Sequence, residues 1–189
     1  KQNSLLRRDF LLSLLKNIKS NSKIITTTGY TSRELMQIRR EKKINRGKDF
    51  YMVGGMGHAS AVASSFSLNS KKPIICVDGD GSILMHLGSL FVNGKMGNSN
   101  FKHILLNNNS HESVGGQVTD AKNVNFKNIV ISLGYKKYFK LHKKNEIDLI
   151  LKNFLAAKGP SFLEVIISTG VMKNLMRPDN LIRIKNSFI

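Results

Sequence analysis

Apolar and polar residues follow two spacings along the chain, and these spacings predict helices and strands in alternation. The clearest helical spacing lies in residues 4–18, and further helices are predicted at 33–43, 58–68, 82–92, 126–133 and 145–157. Short apolar or β-branched runs predict strands at 24–27, 49–53, 73–77, 103–106, 135–141 and 161–168. Residues 110–124 are polar and predict a long loop, whereas residues 170–189 predict a tail with little periodicity.

This alternation predicts an α/β fold, with three α/β/α layers built on a mostly parallel sheet. A length of 189 residues suits one domain, 1–189, with 170–189 as its C-terminal tail. In such sheets ligands bind beyond the carboxyl ends of the strands. The loops that follow the strands are therefore where a functional site is expected.

The charge balance is strongly basic. The chain has 30 Lys and Arg against 12 Asp and Glu, a formal net charge of +18. That charge would attract polyanions, so a basic nucleic-acid-binding module stays open as an alternative of a different class. The basic pairs are scattered over the whole chain with no recognition-helix signature, which argues against nucleic acid as a partner.

The cysteine content and the hydropathy pattern indicate the cellular compartment that the protein occupies. Cys76 is the single cysteine, which excludes a disulfide scaffold and favours a reducing cytoplasm. No apolar stretch reaches the roughly 18 residues that span a bilayer, and the apolar run at 11–15 is too short for a signal peptide. We therefore expect a cytoplasmic protein without a membrane segment.

Two polar motifs stand directly after predicted strands. Asp80 lies between Gly79 and Gly81, and Asn108 follows Gly81 after twenty-six intervening residues, the length of one helix-and-strand crossover. Adjacent parallel strands would bring Asp80 and Asn108 together. Glycines allow a phosphate to approach the backbone, and Mg²⁺ prefers oxygen ligands and commonly bridges carboxylate and phosphate. The pattern predicts a magnesium and phosphate site.

The same residues resemble a known family. Gly79-Asp80-Gly81, followed after twenty-five residues by Asn107-Asn108, is similar to the cofactor motif of thiamine diphosphate enzymes. Within that family the chain most resembles the phosphonopyruvate decarboxylases, through TTGYTSREL (27–35), VGGMGHAS (53–60), DGDG (78–81), LNNNSHESVGGQ (106–117), GPSFLEV (159–165) and RP (177–178). The resemblance covers most of this chain, but only the C-terminal, diphosphate-binding half of the usual decarboxylase.

This resemblance implies a diphosphate-type domain that uses thiamine diphosphate and Mg²⁺. Asp80, the side chain of Asn108 and the backbone carbonyl of Ser110 would hold the metal. Met56 would bend the cofactor, and the carbonyl of Gly54 would accept a hydrogen bond from its 4′-amino group. The full implied cofactor-binding set is Thr28, Gly29, Tyr30, Gly54, Met56, His58, Gly79, Gly81, Ser82 and Asn108.

Two histidines have open roles. His111, on the loop after the metal motif, is the candidate catalytic residue; it either contacts substrate or relays a proton, or it only orders its loop. His58 opens a predicted helix, and the alternative to cofactor binding is capping or packing.

The resemblance also indicates what this chain does not supply. In the family, the glutamate that activates the cofactor lies in a separate pyrimidine-binding half, and no glutamate here has that context. We therefore expect a pyrimidine-binding partner subunit or domain, a homo- or hetero-oligomer, and little activity alone. The expected reaction is decarboxylation of a small anionic 2-oxo acid, phosphonopyruvate to phosphonoacetaldehyde and CO₂. The alternatives are a sulfopyruvate decarboxylase beta subunit or a carboligase of the acetolactate synthase kind.

Overall fold

A computed structural model describes residues 4–189 and shows one sheet of six parallel strands within that range. The strands are β1 (Lys23–Thr26), β2 (Lys48–Tyr51), β3 (Ile74–Gly79), β4 (Phe101–Asn107), β5 (Lys137–Leu141) and β6 (Ser161–Ile166). The helices are α1 (Arg7–Asn17), α2 (Tyr30–Lys42), α3 (Ala59–Leu68), α4 (Asp80–Met85), α5 (Ser89–Met96), α6 (Phe126–Ser132), α7 (Ile147–Ala156) and α8 (Leu181–Phe188).

Helices cover both faces of the sheet, so the predicted three-layer α/β/α fold is confirmed. On one face α1, α2 and α7 pack against strand residues such as Ile75 and Ile104. On the other face α3, α5 and α6 pack against residues such as Ile74 and Phe101. Neighbouring positions of the strands therefore enter opposite cores, as expected for parallel strands buried on both sides.

The strand order positions the candidate site. The sheet runs β2-β1-β3-β4-β6-β5, so the chain adds a strand on one side of β1 and then crosses to β3 on the other. Pairing of Thr26 with Val77 and of Gly79 with Leu106 brings the carboxyl ends of β1, β3 and β4 to one edge. Such a reversal of direction is where open α/β sheets bind ligands.

The helix predicted at 82–92 is wrong as a single element. The structure has α4 and α5 instead, separated by residues 86–88. His86 has φ −133° and ψ 47°, which leaves the helical region and ends α4. The His86 ring lies against the His58 ring, with centroids 4.4 Å apart.

The C-terminal segment is more ordered than its sequence predicted. Within the predicted tail 170–189, α8 forms and places Phe188 in the core with 2% of its surface exposed. The Phe188 ring lies 5.6 Å from Phe50 and 5.2 Å from Phe66, measured between centroids. The expectation of little regular structure is therefore wrong for α8, because its apolar face is satisfied only by contact with β2 and α3.

None of the helices formed by residues 4–189 combines the length and the apolar character needed to cross a membrane.

Packing of α8 predicts a specific loss of stability. Phe188→Ala removes a buried ring and is expected to lower the free energy of unfolding by about 3 kcal/mol, measured by urea denaturation. Ile182→Ala, on the same helix but at a side chain that is 73% exposed, is the matched control and should change it by less than about 0.5 kcal/mol. Equal effects of the two changes would contradict the docking of α8.

Candidate functional site

A small cavity lies at the carboxyl ends of β1, β3 and β4. Its volume is about 60 Å³, and it brings together most of the residues that the sequence predicted for the site: Thr28, Tyr30, Met56, Gly79, Asp80, Gly81, Ser82, Asn108, Ser110 and His111. Gly29, Gly54 and His58 do not line it. Pockets that enclose a ligand usually reach about 300–1,000 Å³, so this cavity is too small to enclose one.

Asp80 and Asn108 meet across the ends of β3 and β4. The backbone N–H of Ser110 donates to Asp80 Oδ2 at 3.1 Å and to Asn108 Oδ1 at 3.2 Å. One donor therefore holds a carboxylate oxygen and an amide oxygen beside each other. The contacts of Ser110 in this cluster are made by its N–H, and the metal-binding role of its carbonyl stays a prediction.

Thr119 completes the surroundings of Asp80. Its hydroxyl donates to Asp80 Oδ2 at 2.5 Å, and the loop returns Thr119 to this point because Ser110 pairs with Val118 in an antiparallel bridge. Burial raises the pKa of Asp80, while the hydrogen bonds from Thr119 and from backbone N–H groups act in the opposite direction. Asp80 is 3% exposed, and its hydrogen bonds stabilise the charged form of the carboxylate in that buried setting.

The donor set fits a magnesium ion. Its oxygens come from one carboxylate and one side-chain amide, the hard ligands that Mg²⁺ takes when phosphate oxygens and water fill the other positions. The acceptors that share the N–H of Ser110 are both oxygens, one from Asp80 and one from Asn108.

Ser82 connects three segments below the cavity. Its Oγ accepts hydrogen bonds from Thr27 Oγ1 and from the N–H of Gly57, both at 3.0 Å. Because a hydroxyl oxygen accepts twice and donates once, the O–H of Ser82 is left to donate into the cavity that it lines. An acceptor such as a phosphate oxygen fits that position.

The turns after β1 and β2 meet at the cavity rim. The N–H of Gly54 donates to Thr28 Oγ1 at 3.3 Å, which places Gly54 beside the predicted phosphate-binding turn without lining the cavity. Gly29 has φ +89°, and a Cβ atom there would lie 2.8 Å from Ser113 Oγ. The close approach of the 110–124 loop to this turn therefore requires a glycine.

The structure separates the two predicted histidines. The His111 ring lies over Gly81, since a Cβ atom on Gly81 would stand 2.3 Å from His111 Cε1. His58 is exposed, and its Nδ1 lies 3.3 Å from the carbonyl of Gly55 and 3.2 Å from that of Met56. His111 is thus in the cavity, whereas the contacts of His58 are those of a residue that orders the glycine turn.

Arg7, Glu112 and Thr119 are among the residues at the cavity that the sequence analysis did not predict. Arg7 comes from the start of α1 and pairs with Glu112 at 2.5 Å and with the buried Glu34 at 3.4 Å. Burial raises the pKa of Glu34, against the charge of Arg7. Glu112 and Thr119 lie in the same polar loop as His111. Their closeness to His111 in the sequence was the one feature that could have marked them as site residues. For Arg7 no local signal exists.

The His111 contact predicts different roles for the two glycines of the metal motif. Gly81→Ala places a methyl group against the His111 ring and is expected to cost about 1–3 kcal/mol of stability and to shift the His111 imidazole NMR signals. Gly79→Ala is the matched control, because its Cβ would meet nothing closer than Thr27 Cγ2 at 4.0 Å. A Gly81 variant with unchanged His111 signals would contradict this geometry.

Comparison with known proteins places this geometry in a family. Residues 27–165 match the family model described as "Thiamine pyrophosphate enzyme, C-terminal TPP binding domain". The fold resembles that of an X-ray structure assigned to a thiamin diphosphate-dependent enzyme from Mycobacterium smegmatis, with a TM-score of 0.69 at 15% identity, over 89% of this chain and 33% of that one. At that identity the likeness concerns the fold alone.

Curated relatives fall into two groups of decarboxylase. The chain is 34% identical to the phosphonopyruvate decarboxylase of Streptomyces viridochromogenes over 87% of its own length and 40% of that protein. It is 30% identical to the sulfopyruvate decarboxylase subunit beta of Methanothermobacter thermautotrophicus, over 88% of this chain and 84% of the subunit. The chain thus spans about two fifths of the first protein and most of the second. The resemblance found in the sequence is confirmed, and the chain belongs to the thiamine pyrophosphate enzymes through their C-terminal TPP-binding domain.

Proposed function

We propose that this chain is the diphosphate-binding half of a thiamine diphosphate- and Mg²⁺-dependent decarboxylase of an anionic 2-oxo acid. The observation that carries the proposal is the meeting of Asp80 Oδ2 and Asn108 Oδ1 at the N–H of Ser110, within a domain of this family. An oxygen-only pair at the carboxyl ends of adjacent strands suits a metal that is shared with a diphosphate.

Each part of the cavity has a proposed task. Asp80 and Asn108, with the carbonyl of Ser110, bind the magnesium ion. The O–H of Ser82 donates to a phosphate oxygen, in keeping with its two accepted hydrogen bonds. The backbone of Gly81, with residues 28–30 and Gly79, completes the phosphate-binding surface.

The reacting end of the cofactor is assigned to the turn after β2. When bound, thiamine diphosphate supplies an electron sink for the electron pair released with CO₂. Met56, which lines the cavity, would give apolar support to the bound cofactor, and the carbonyl of Gly54 would accept a hydrogen bond from its amine. His111 lies over Gly81 in the cavity, where it is available to contact substrate or to carry a proton.

The site is half of an active site. The cavity is only about 60 Å³, and Glu112 is the glutamate that lines it among the described residues. The Glu112 carboxylate already accepts hydrogen bonds from Arg7 and from Asn108 Nδ2, so it is not available to activate the cofactor. We assign that task to a glutamate on a pyrimidine-binding partner, which would also close the cavity.

Two substrates are supported by different relatives. Phosphonopyruvate, which would give phosphonoacetaldehyde and CO₂, is supported by the decarboxylase that is 34% identical over 165 residues. Sulfopyruvate is supported by the beta subunits, since one of them is matched over 84% of its length. Both substrates add a second anionic group to the 2-oxo acid. Phosphonopyruvate is our first choice because, at nearly equal coverage of this chain, its decarboxylase is 34% identical and the beta subunit of Methanothermobacter thermautotrophicus is 30% identical.

Metal-dependent cofactor binding tests the proposal. Titration calorimetry of the purified chain should show thiamine diphosphate binding that requires Mg²⁺. Asp80→Asn should weaken this binding at least about tenfold, because the variant loses a charged metal ligand. Asp148→Asn, on the exposed face of α7, is the matched control and should leave the affinity unchanged. Absence of binding by the unmodified chain would refute the proposed function.

Turnover tests the need for a partner. The isolated chain should decarboxylate phosphonopyruvate or sulfopyruvate at a rate on the order of 10²–10⁴-fold below that of its complex with a pyrimidine-binding half, because the proton-transfer group is missing. The two substrates are assayed in parallel, with CO₂ release as the readout. Robust turnover by the pure isolated chain would show that it contains a complete site.

A further inference from the structure

The carboxylate of Glu112 joins three segments that are distant in sequence. Its Oε2 accepts hydrogen bonds from Arg7 at 2.5 Å and from Asn108 Nδ2 at 3.1 Å. Its Oε1 accepts from the backbone N–H of Gly170 at 2.5 Å. The side chain is 16% exposed, so these bonds form largely away from water. The N-terminal helix, the metal loop and the segment after β6 therefore converge on this carboxylate.

The contact with Asn108 determines which way its amide faces. A carboxylate only accepts hydrogen bonds, so Glu112 must face the NH₂ group of Asn108 and never its oxygen. The N–H of Ser110 only donates, and it faces Asn108 Oδ1 at 3.2 Å. Both neighbours select the same orientation, in which the amide oxygen shares the Ser110 N–H with Asp80 Oδ2. If the amide were flipped, its NH₂ group would face the metal ion, and an NH₂ group cannot serve as a metal ligand.

The position of Glu112 is itself held. Arg7 is 5% exposed and also pairs with Glu34, whose Oε1 accepts from the N–H of Met172 at 3.0 Å. Arg7 also lies 5.9 Å from the ring centroid of Tyr30. Among the described residues that line the cavity, Arg7 is the one Lys or Arg, so its charge keeps the Glu112 carboxylate in place.

We propose that Glu112 is a positioning residue for the metal site: it holds the amide of Asn108 with its oxygen toward the magnesium ion, and Arg7 holds Glu112. This inference deepens the proposed function and rests on Asn108 being a metal ligand. Glu112 acts through Asn108, and the partners that orient metal ligands commonly contribute 10–100-fold to metal affinity.

The asparagine next to Asn108 makes the same kind of contact and provides a matched control. Asn107 Nδ2 donates to Glu164 Oε1 at 3.1 Å, the same amide-to-carboxylate contact on the neighbouring asparagine. Asn107 Oδ1 accepts from the N–H of Asn109, and neither Asn107 nor Glu164 lines the cavity. A change at Glu164 therefore disturbs a buried carboxylate of the same kind without touching the proposed metal ligand.

The experiment measures the Mg²⁺ concentration at half-saturation of thiamine diphosphate binding by the full chain. Glu112→Ala is expected to raise this midpoint about tenfold or more. Glu112→Gln should raise it less, about threefold, because the glutamine oxygen still accepts from Asn108 but no longer excludes the flipped amide. Glu164→Gln should leave the midpoint within about twofold. The side-chain NH₂ signals of Asn108 in ¹⁵N NMR should shift in the Glu112 variants alone.

The outcomes separate this inference from the function on which it rests. If the unmodified chain shows no Mg²⁺-dependent binding, the proposed function fails. If it binds and Glu112→Ala leaves the midpoint within twofold, or Glu164→Gln raises it equally, the positioning role is wrong. Unfolding temperatures without ligand show whether each variant is folded. Should Glu112→Ala not fold, Glu112→Gln decides, and an unchanged midpoint there overturns the inference.

Discussion

The arrangement of the site depends on one shared hydrogen-bond donor. The N–H of Ser110 donates to both Asp80 Oδ2 and Asn108 Oδ1, although the two residues follow different strands. Parallel pairing of β3 with β4 makes this possible, because Gly79 lies opposite Leu106 and the two strands therefore end at the same edge of the sheet. A shift of this register would separate the two oxygens. The geometry of the site therefore depends on the strand register of the sheet.

Buried polar groups explain why the loop after β4 is ordered. Asp80 is nearly inaccessible to water, and leaving its carboxylate without partners would cost several kcal/mol. The loop therefore folds back on itself, with the N–H of His111 donating to the carbonyl of Gln117 at 2.8 Å, and delivers Thr119 to Asp80. The same segment carries His111 into the cavity and Glu112 onto Arg7. His111, Glu112 and Thr119 serve this network, whereas residues 113–118 of the same loop are exposed to solvent.

The cavity is consistent with half of a shared active site. Its cation, Arg7, is already paired with two carboxylates, and its glutamate is occupied by hydrogen bonds. The large positive charge of the chain, +18, therefore contributes little inside the cavity, where a single Lys or Arg is found among the described lining residues. The basic surface and the small cavity around Asp80 are separate features of the molecule.

The sequence by itself determined the fold class and the meeting of Asp80 with Asn108. Alternating helix and strand patterns imply parallel strands, and parallel strands bring the residues after each strand to one edge. Only the tertiary structure decided that α8 docks through Phe188, that α4 and α5 are separate helices, and that Arg7 and Thr119 reach the site. Those contacts join residues that are distant in the sequence, 105 positions apart in the pair of Arg7 with Glu112, and no local spacing encodes where a helix packs on a sheet.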